Sequence, residues 1–265
     1  MDCVRSAAYQ YILEGRYGNV APIVDKKGNQ TFWRVAASNS EQDFCAVNQT
    51  SLALLRRFCH LQVNPELGEI MLYFLNHSRD SRVIAYLQNF PEDLFPKKWT
   101  ETLLDNKANP FPYTWEVVAL LIKDIKDAKS DIFLNLVASC VGPEVAIRFA
   151  KYCQLTDKVD MAKILAEPKI ELDKLKENQD SASLYYAIIA NFAAMWFKKE
   201  KKLDANKVVQ ISGALPHEFT IAFLQMILVK REKELLAVKG FEAFLRTLGM
   251  YFGDENENDN NNDDD

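Results

Sequence analysis

The chain has 265 residues, of which 48% are hydrophobic, and its formal net charge at neutral pH is −5. This hydrophobic fraction supports a folded core and excludes a wholly disordered chain, and no apolar run is long enough to span a bilayer. Residues 254–265 hold seven acids and no base, which leaves 30 acids against 32 Lys or Arg elsewhere and excludes the basic excess of a dedicated nucleic-acid binder.

The cysteines and histidines argue against a disulfide framework and against a metal site. Five cysteines, an odd number, are widely spread without a CxxC pair, and the N-terminus lacks the pattern of a signal peptide. We therefore expect free thiols and a cytoplasmic location. The three histidines do not stand at metal-ligand spacing from one another, so no zinc site is predicted.

The first 64 residues contain the strand signals of the chain. An amphipathic helix is predicted over 2–17, followed by a hairpin-type turn at 25–30. An apolar run predicts a strand at 32–37, and alternation predicts a second strand at 58–63, after a short helix at 51–57. Two or three strands in about 60 residues cannot make a covered sheet alone. Either the helical part covers this sheet, or the missing strands come from another polypeptide.

Beyond Pro65 the hydrophobic periodicity is helical. Helices are predicted over 65–77, 81–89, 115–129, 131–140, 142–154, 181–199, 204–213, 218–231 and 239–252. A linker at 95–113 carries three prolines, and the low-complexity residues 254–265 are predicted to be disordered. The predicted fold class is mainly α, with a small α/β part at the start.

Two further patterns have simple structural interpretations. An aromatic group on the 181–199 helix has the spacing of a buried face, and it comprises Tyr185, Tyr186, Phe192, Trp196 and Phe197. The lysine-rich run 198–202 has an acid in its middle and indicates a solvated helix end. Taken by themselves, Tyr113 and Trp115 are typical packing residues at the start of a helix.

Three regions, in order, resemble the MoxR type of AAA+ ATPases. Residues 33–39 (WRVAASN) are similar to the family's fourth core strand, which ends at the sensor 1 asparagine. Residues 53–58 (ALLRRF) resemble the end of the helix that carries the family's arginine finger. The segments 83–87 (VIAYL), 90–94 (FPEDL) and 112–118 (PYTWEVV) resemble the helical lid, whose last motif carries sensor 2.

The resemblance implies roles for individual residues. Asn39 stands at sensor 1, where a neutral amide can orient the water that attacks the γ-phosphate. Arg57 stands at the arginine finger, whose planar fork stabilises charge on the transferred phosphoryl group of a neighbouring subunit. Arg56 is the adjacent candidate for that role. Tyr113 stands at the cofactor-contacting sensor 2 position, where the family has an arginine.

The departures from the family are equally clear. The chain contains no GxxxxGK(S/T) motif and no apolar strand that ends in Asp-Glu, so we expect no ATP hydrolysis by the chain alone. The resemblance implies ATP and Mg²⁺ as ligands, held mostly by a P-loop-bearing half. It further implies a ring of neighbouring subunits, a client protein to remodel, and a von Willebrand A-type partner. From composition we expect no membrane and no specific nucleic acid as partners.

The resemblance also divides the chain. Residues 1–64 correspond to the C-terminal remnant of an AAA+ α/β core and 65–155 to a helical lid. Residues 156–253 form a helical extension, and 254–265 a disordered acidic tail. The alternative is a non-catalytic helical interaction protein or degenerate AAA+ scaffold, which the missing sensor 2 arginine favours. A nucleic-acid accessory factor is disfavoured by the near-neutral body.

Overall fold

The computed structural model describes residues 26–28, 56, 59–61, 63, 65–96 and 108–249. The chain divides into two units, residues 1–64 and 65–265. In the first unit the described residues lie in turns and irregular segments. The strand predicted at 58–63 is not formed at residues 59–61 and 63, and the apolar side chains of Leu61 and Val63 are exposed instead of packed on a sheet face. The other elements predicted before residue 58 lie essentially outside the described residues.

The second unit is helical throughout its described part. Its elements are α1 (Leu67–Asn76), α2 (Ser81–Asn89), a 3₁₀ turn (Pro91–Asp93), α3 (Pro112–Leu121), α4 (Asp131–Val141), α5 (Pro143–Thr156), α6 (Met161–Ala166), α7 (Pro168–Leu175), α8 (Ser181–Phe197), α9 (Ala205–Ala214), α10 (His217–Leu236) and α11 (Phe241–Thr247). Among the residues described there is no strand. The fold class shown is therefore mainly α, and the partial α/β core stays a prediction.

The nine helices predicted beyond Pro65 are confirmed within the described residues, eight of them with shifted ends. The bounds of α2 agree to the residue, because Asp80 caps it by accepting a hydrogen bond from the backbone N–H of Arg82. Helix α3 starts earlier than predicted, at Pro112, because a proline suits the first helical position. It also stops earlier, at Leu121. The helices α6 and α7 were not predicted, since each is short and buries a single residue.

Helix α8 lies at the centre of the core. Helix α2 packs against it in antiparallel fashion, because Ser81 Oγ donates to Asn191 Oδ1 at 2.8 Å and Asn89 Nδ2 donates to Ser183 Oγ at 2.8 Å. The predicted buried face of α8 is confirmed, with Tyr186 partly buried and the other four aromatic residues buried.

One hydrophobic core joins helices from both predicted helical regions, 65–155 and 156–253. The predicted lid and extension therefore pack into one unit, of which α8 and α10 are the most deeply buried long elements. Helix α10 is kinked at Arg231, whose φ and ψ are −140° and 41°. In the described ranges, no helix has the length and apolar character to cross a membrane.

Candidate functional site

The first turn of α3 presents Tyr113 to solvent. Pro112 occupies the first helical position, and the hydroxyl of Thr114 accepts a hydrogen bond from the backbone N–H of Phe111 at 2.8 Å. This bond fixes the direction in which the chain enters the helix. Tyr113 is 74% exposed, so the prediction that it is a packing residue is wrong. Its phenol is accessible to a ligand instead.

Trp115 anchors the same turn from the inside. It is fully buried, and its indole Nε1 donates a 2.8 Å hydrogen bond to the backbone carbonyl of Asp93. Its ring centroid lies 5.4 Å from that of Tyr86 and 5.4 Å from that of Phe149. We call Tyr86, Asp93, Trp115, Phe149 and Arg148 the Trp115 cluster. Its members Tyr86, Asp93 and Trp115 come from the three segments that carry the resemblance to an AAA+ lid.

The carboxylate of Asp93 is the charged centre of the Trp115 cluster. Asp93 is 2% exposed, and it accepts hydrogen bonds from Arg148 Nη2 at 2.6 Å and from Arg148 Nε at 3.1 Å. The hydroxyl of Tyr86 donates to the same carboxylate. A buried charge is tolerated because these donors satisfy both of its oxygens.

The pKa values in this cluster follow from its burial. Desolvation, and then the hydrogen bond to Asp93, raise the pKa of Tyr86 well above its ordinary value. Partial burial acts to lower the pKa of Arg148, but the hydrogen bonds to Asp93 and Tyr86 outweigh it and raise that pKa. Both side chains therefore hold fixed protonation states at neutral pH. The cluster positions α3 and is not suited to proton transfer.

A second polar group lies one helical turn beyond Tyr113. Glu116 Oε1 accepts hydrogen bonds from Arg79 Nε at 3.0 Å and from the hydroxyl of Tyr73 at 3.1 Å. The hydrogen bond to Glu116 raises the pKa of Arg79, against the lowering effect of burial. The ring of His77 lies 4.1 Å from that of Tyr73, centroid to centroid. Tyr113 and Glu116 are neighbours on the helix surface because they stand three positions apart, so the ion pair of Glu116 with Arg79 lies beside Tyr113.

The other predicted site residues belong to the first unit. Asn39 and Arg57 lie outside the described residues, and Arg56 lies exposed in a turn. Sequence reasoning missed Arg79 and Arg148. Their buried or part-buried acidic partners, Glu116 and Asp93, lie 37 and 55 residues away, and the local pair of Arg148 with Glu144 gives no sign of the buried one.

The described residues offer little for a metal ion. Within them, no three His, Cys, Asp or Glu side chains come close enough to hold one. The described cysteines, Cys59, Cys140 and Cys153, are free thiols, and burial raises the pKa of the Cys153 thiol far above its ordinary value. A buried, protonated thiol is a packing group and not a nucleophile.

Comparison with known proteins adds no relative. The chain matches no protein-family model, no curated protein and no solved structure.

Proposed function

We propose that this chain supplies sensor 1, the arginine finger and the helical lid of a MoxR-type AAA+ ATPase. The observation that carries the proposal is the Trp115 cluster. Three segments that resemble the lid in sequence, and that are separated along the chain, meet at one buried point. The three segments follow the family's order along the chain and also lie together in the fold, and this combination is more specific than any of the three motifs alone.

The orientation of α3 suits a lid. Trp115 and Tyr113 are two residues apart, which turns their side chains by about 200° around the helix axis. One is buried in the cluster and the other is exposed. The anchor therefore holds Tyr113 outward, and in this proposal a nucleotide bound by another part of the ATPase meets it there.

The residues here fit ATP only in part. The phenol of Tyr113 can donate a hydrogen bond to a phosphate oxygen, but it supplies no positive charge. The described residues provide no metal-binding group, so Mg²⁺ and the phosphates would be held by the P-loop-bearing half. In this proposal Asn39 orients the attacking water and Arg57, or its neighbour Arg56, serves the adjacent subunit.

The assembly implied is a ring that remodels a client protein, together with a von Willebrand A-type partner. Such a ring needs contacts between subunits to place each arginine finger at its neighbour's nucleotide. Because the arginine finger acts only after assembly, ATP turnover of the assembled complex is the most direct test.

The second candidate is a non-catalytic helical scaffold. One observation favours it: Arg79 is paired with Glu116, which lies one helical turn beyond Tyr113. A lid in which this arginine is paired can still bind a partner while it contributes little to hydrolysis. The two candidates differ in whether ATP turnover depends on this chain.

The test is ATP turnover by this chain assembled with a P-loop-bearing AAA+ half, which is first sought in the reading frames that adjoin its own; the proposal loses its main support if none is found. We expect turnover only in the assembled complex, and a loss of about 10³-fold on Arg57→Ala if Arg57 is the finger. Arg56→Ala is the matched control, and the two results together assign the finger. If neither variant lowers turnover in a complex whose assembly is verified by light scattering, the finger assignment fails.

A second measurement tests whether the chain alone holds a nucleotide. Calorimetry of the chain alone should show ATP binding weaker than about micromolar, because no loop here cradles the phosphates. ATP turnover separates the two candidates: full turnover by the P-loop-bearing half without this chain would favour the scaffold.

A further inference from the structure

The end of α8 and the kink of α10 form one basic surface. We use that name for the side chains Lys198, Lys199, Lys201, Lys202, Lys230 and Lys233, all of which are exposed. Over residues 198–204 and 230–234 there are seven Lys or Arg against four Asp or Glu. The surface keeps a positive excess in a body that is otherwise nearly neutral.

Ring contacts bring the two parts of the basic surface together. The guanidinium carbon of Arg231 lies 3.6 Å from the ring centroid of Trp196, and Lys230 Nζ lies 4.6 Å from that of Phe197. These aromatic residues are the last two of α8, so the lysines of α10 lie beside the lysine run that follows it. Arg231 and then Lys199 lower the pKa of Glu234, which places Lys199 at the same surface.

The lysine run stands on an unusual turn. Helix α8 ends with hydrogen bonds from the N–H of Glu200 to the carbonyl of Met195 and from the N–H of Lys199 to that of Trp196, both 3.1 Å. This is the Schellman arrangement, whose left-handed position favours glycine. Here Lys199 occupies it, with φ of 56°. The turn therefore carries a charged side chain at a left-handed backbone position that glycine usually occupies.

We propose that the basic surface binds the acidic segment 254–265 of the same chain. That segment holds seven acids and no base, and it is the most strongly charged stretch of the sequence. Charge complementarity selects it over an apolar occupant, and its tethering raises its local concentration at the surface to about the millimolar range.

The segment can reach the surface. The last described residue, Gly249, follows α11, which contacts α10 and buries Phe241 and Leu245. The 16 residues that follow can extend over about 50 Å. In the bound state the segment covers the lysines and keeps other polyanions away from them.

The first experiment maps the contact in the full chain. A zero-length carbodiimide reagent joins carboxylates to amines in direct contact, and mass spectrometry locates the links. At about 0.01 M salt, links from residues 254–265 should favour the six lysines of the basic surface at least about fivefold over other exposed lysines, and most should disappear at about 1 M salt. An even spread over all exposed lysines would overturn the proposal. In a mixture of isotope-labelled and unlabelled chains, links mainly between the two kinds would show binding between copies and would also overturn the proposal.

The second experiment uses charge variants of the full chain with heparin as the polyanion probe. Replacing the seven acids of 254–265 by their amides should uncover the basic surface and raise heparin affinity about tenfold at low salt. In that background, K198E/K199E/K201E/K202E should abolish the gain.

The control places the same charge change elsewhere, as K123E/K151E/K158E/K169E at four other exposed lysines, and should retain most of the gain. Circular dichroism checks that every variant keeps its helices, and K201Q/K202Q replaces the fourfold variant if that one unfolds. A gain lost equally in both lysine variants would refute the proposal. Heparin binding by the unmodified chain as tight as by the amide variant would show an external polyanion as the occupant and would also refute it.

Discussion

The indole Nε1 of Trp115 donates a 2.8 Å hydrogen bond to the backbone carbonyl of Asp93, 22 residues earlier in the chain. This bond ties the start of α3 to the 3₁₀ turn after α2, and both partners are buried. The position of Tyr113 therefore depends on a contact that does not involve Tyr113 itself.

The first prediction removes this bond. Trp115→Phe keeps an aromatic ring but leaves the carbonyl of Asp93 without its indole donor, so the free energy of unfolding should fall by about 2–3 kcal/mol. Urea unfolding followed by circular dichroism measures the loss. Tyr113→Phe, at an exposed position of the same turn, should change stability by less than about 0.5 kcal/mol. Equal effects of the two substitutions would contradict the anchoring role of Trp115.

The second prediction concerns the two partners of Arg148. Arg148→Met leaves the Asp93 carboxylate buried without its cation and should cost about 2–3 kcal/mol, less than for a fully buried pair because Arg148 is partly exposed. Glu144→Gln breaks the pair of Arg148 with an exposed carboxylate and should cost less than about 0.5 kcal/mol. Adding Asp93→Asn to Arg148→Met should recover part of the loss, since no buried charge remains. A double variant less stable than Arg148→Met would show that the carboxylate does not need compensation.

The extent to which the sequence predicts this unit depends on how local each signal is. The bounds of α2 follow from a capping aspartate and a helical period, which both lie within a dozen residues. The pair of Asp93 and Arg148 joins residues 55 positions apart, and no short pattern contains it. The early end of α3 has a similar origin, because Arg82 donates hydrogen bonds to the carbonyls of Ile122 and Ile125 at 2.8 and 2.9 Å.

At the candidate site, too, local features could be predicted from the sequence and features that depend on long-range packing could not. The motif around Trp115 could be recognised from its letters, but the exposure of Tyr113 could not, because both aromatic residues suit a helix start equally well. The two side chains differ in burial because Trp115 packs in the core between Tyr86 and Phe149. The position of a side chain two residues away then follows from helix geometry.

The third prediction is a loss of stability in alkali. Burial raises the pKa of Tyr86 and of Tyr152 above the ordinary value of 10.0. Above about pH 10 the unfolded chain releases these protons and the folded chain keeps them, so the free energy of unfolding falls as the pH rises, by up to about 1.4 kcal/mol per unit for each group. Urea midpoints between about pH 9 and pH 11 test the slope. Tyr152→Phe should make the decline shallower, and a decline of the same slope in this variant would contradict the assignment.

The fourth prediction compares three glycines. Gly142 joins α4 to α5 with φ of 87° and ψ of 157°, a region open essentially to glycine alone, and a Cβ there would meet the backbone oxygen of Ala108 at 2.9 Å. Gly142→Ala should therefore cost about 3 kcal/mol or more in thermal or urea unfolding. Gly240→Ala, with φ of 85° and open space around it, should cost only about 1 kcal/mol. Gly213→Ala, inside α9, should stabilise by about 0.5–1 kcal/mol. A different order of these three values would contradict the described backbone.

The fifth prediction tests the proposed lid directly. Tyr113→Arg places a cation on the exposed side of the first turn of α3, opposite the buried anchor Trp115. If this turn faces a nucleotide in the assembled ATPase, the new charge should raise ATP affinity or turnover about tenfold, because a positive side chain there stabilises the phosphates. Leu120→Arg adds the same charge at another exposed position of α3 and should have little effect. Equal responses of the two variants would mean that the first turn of α3 does not meet the nucleotide.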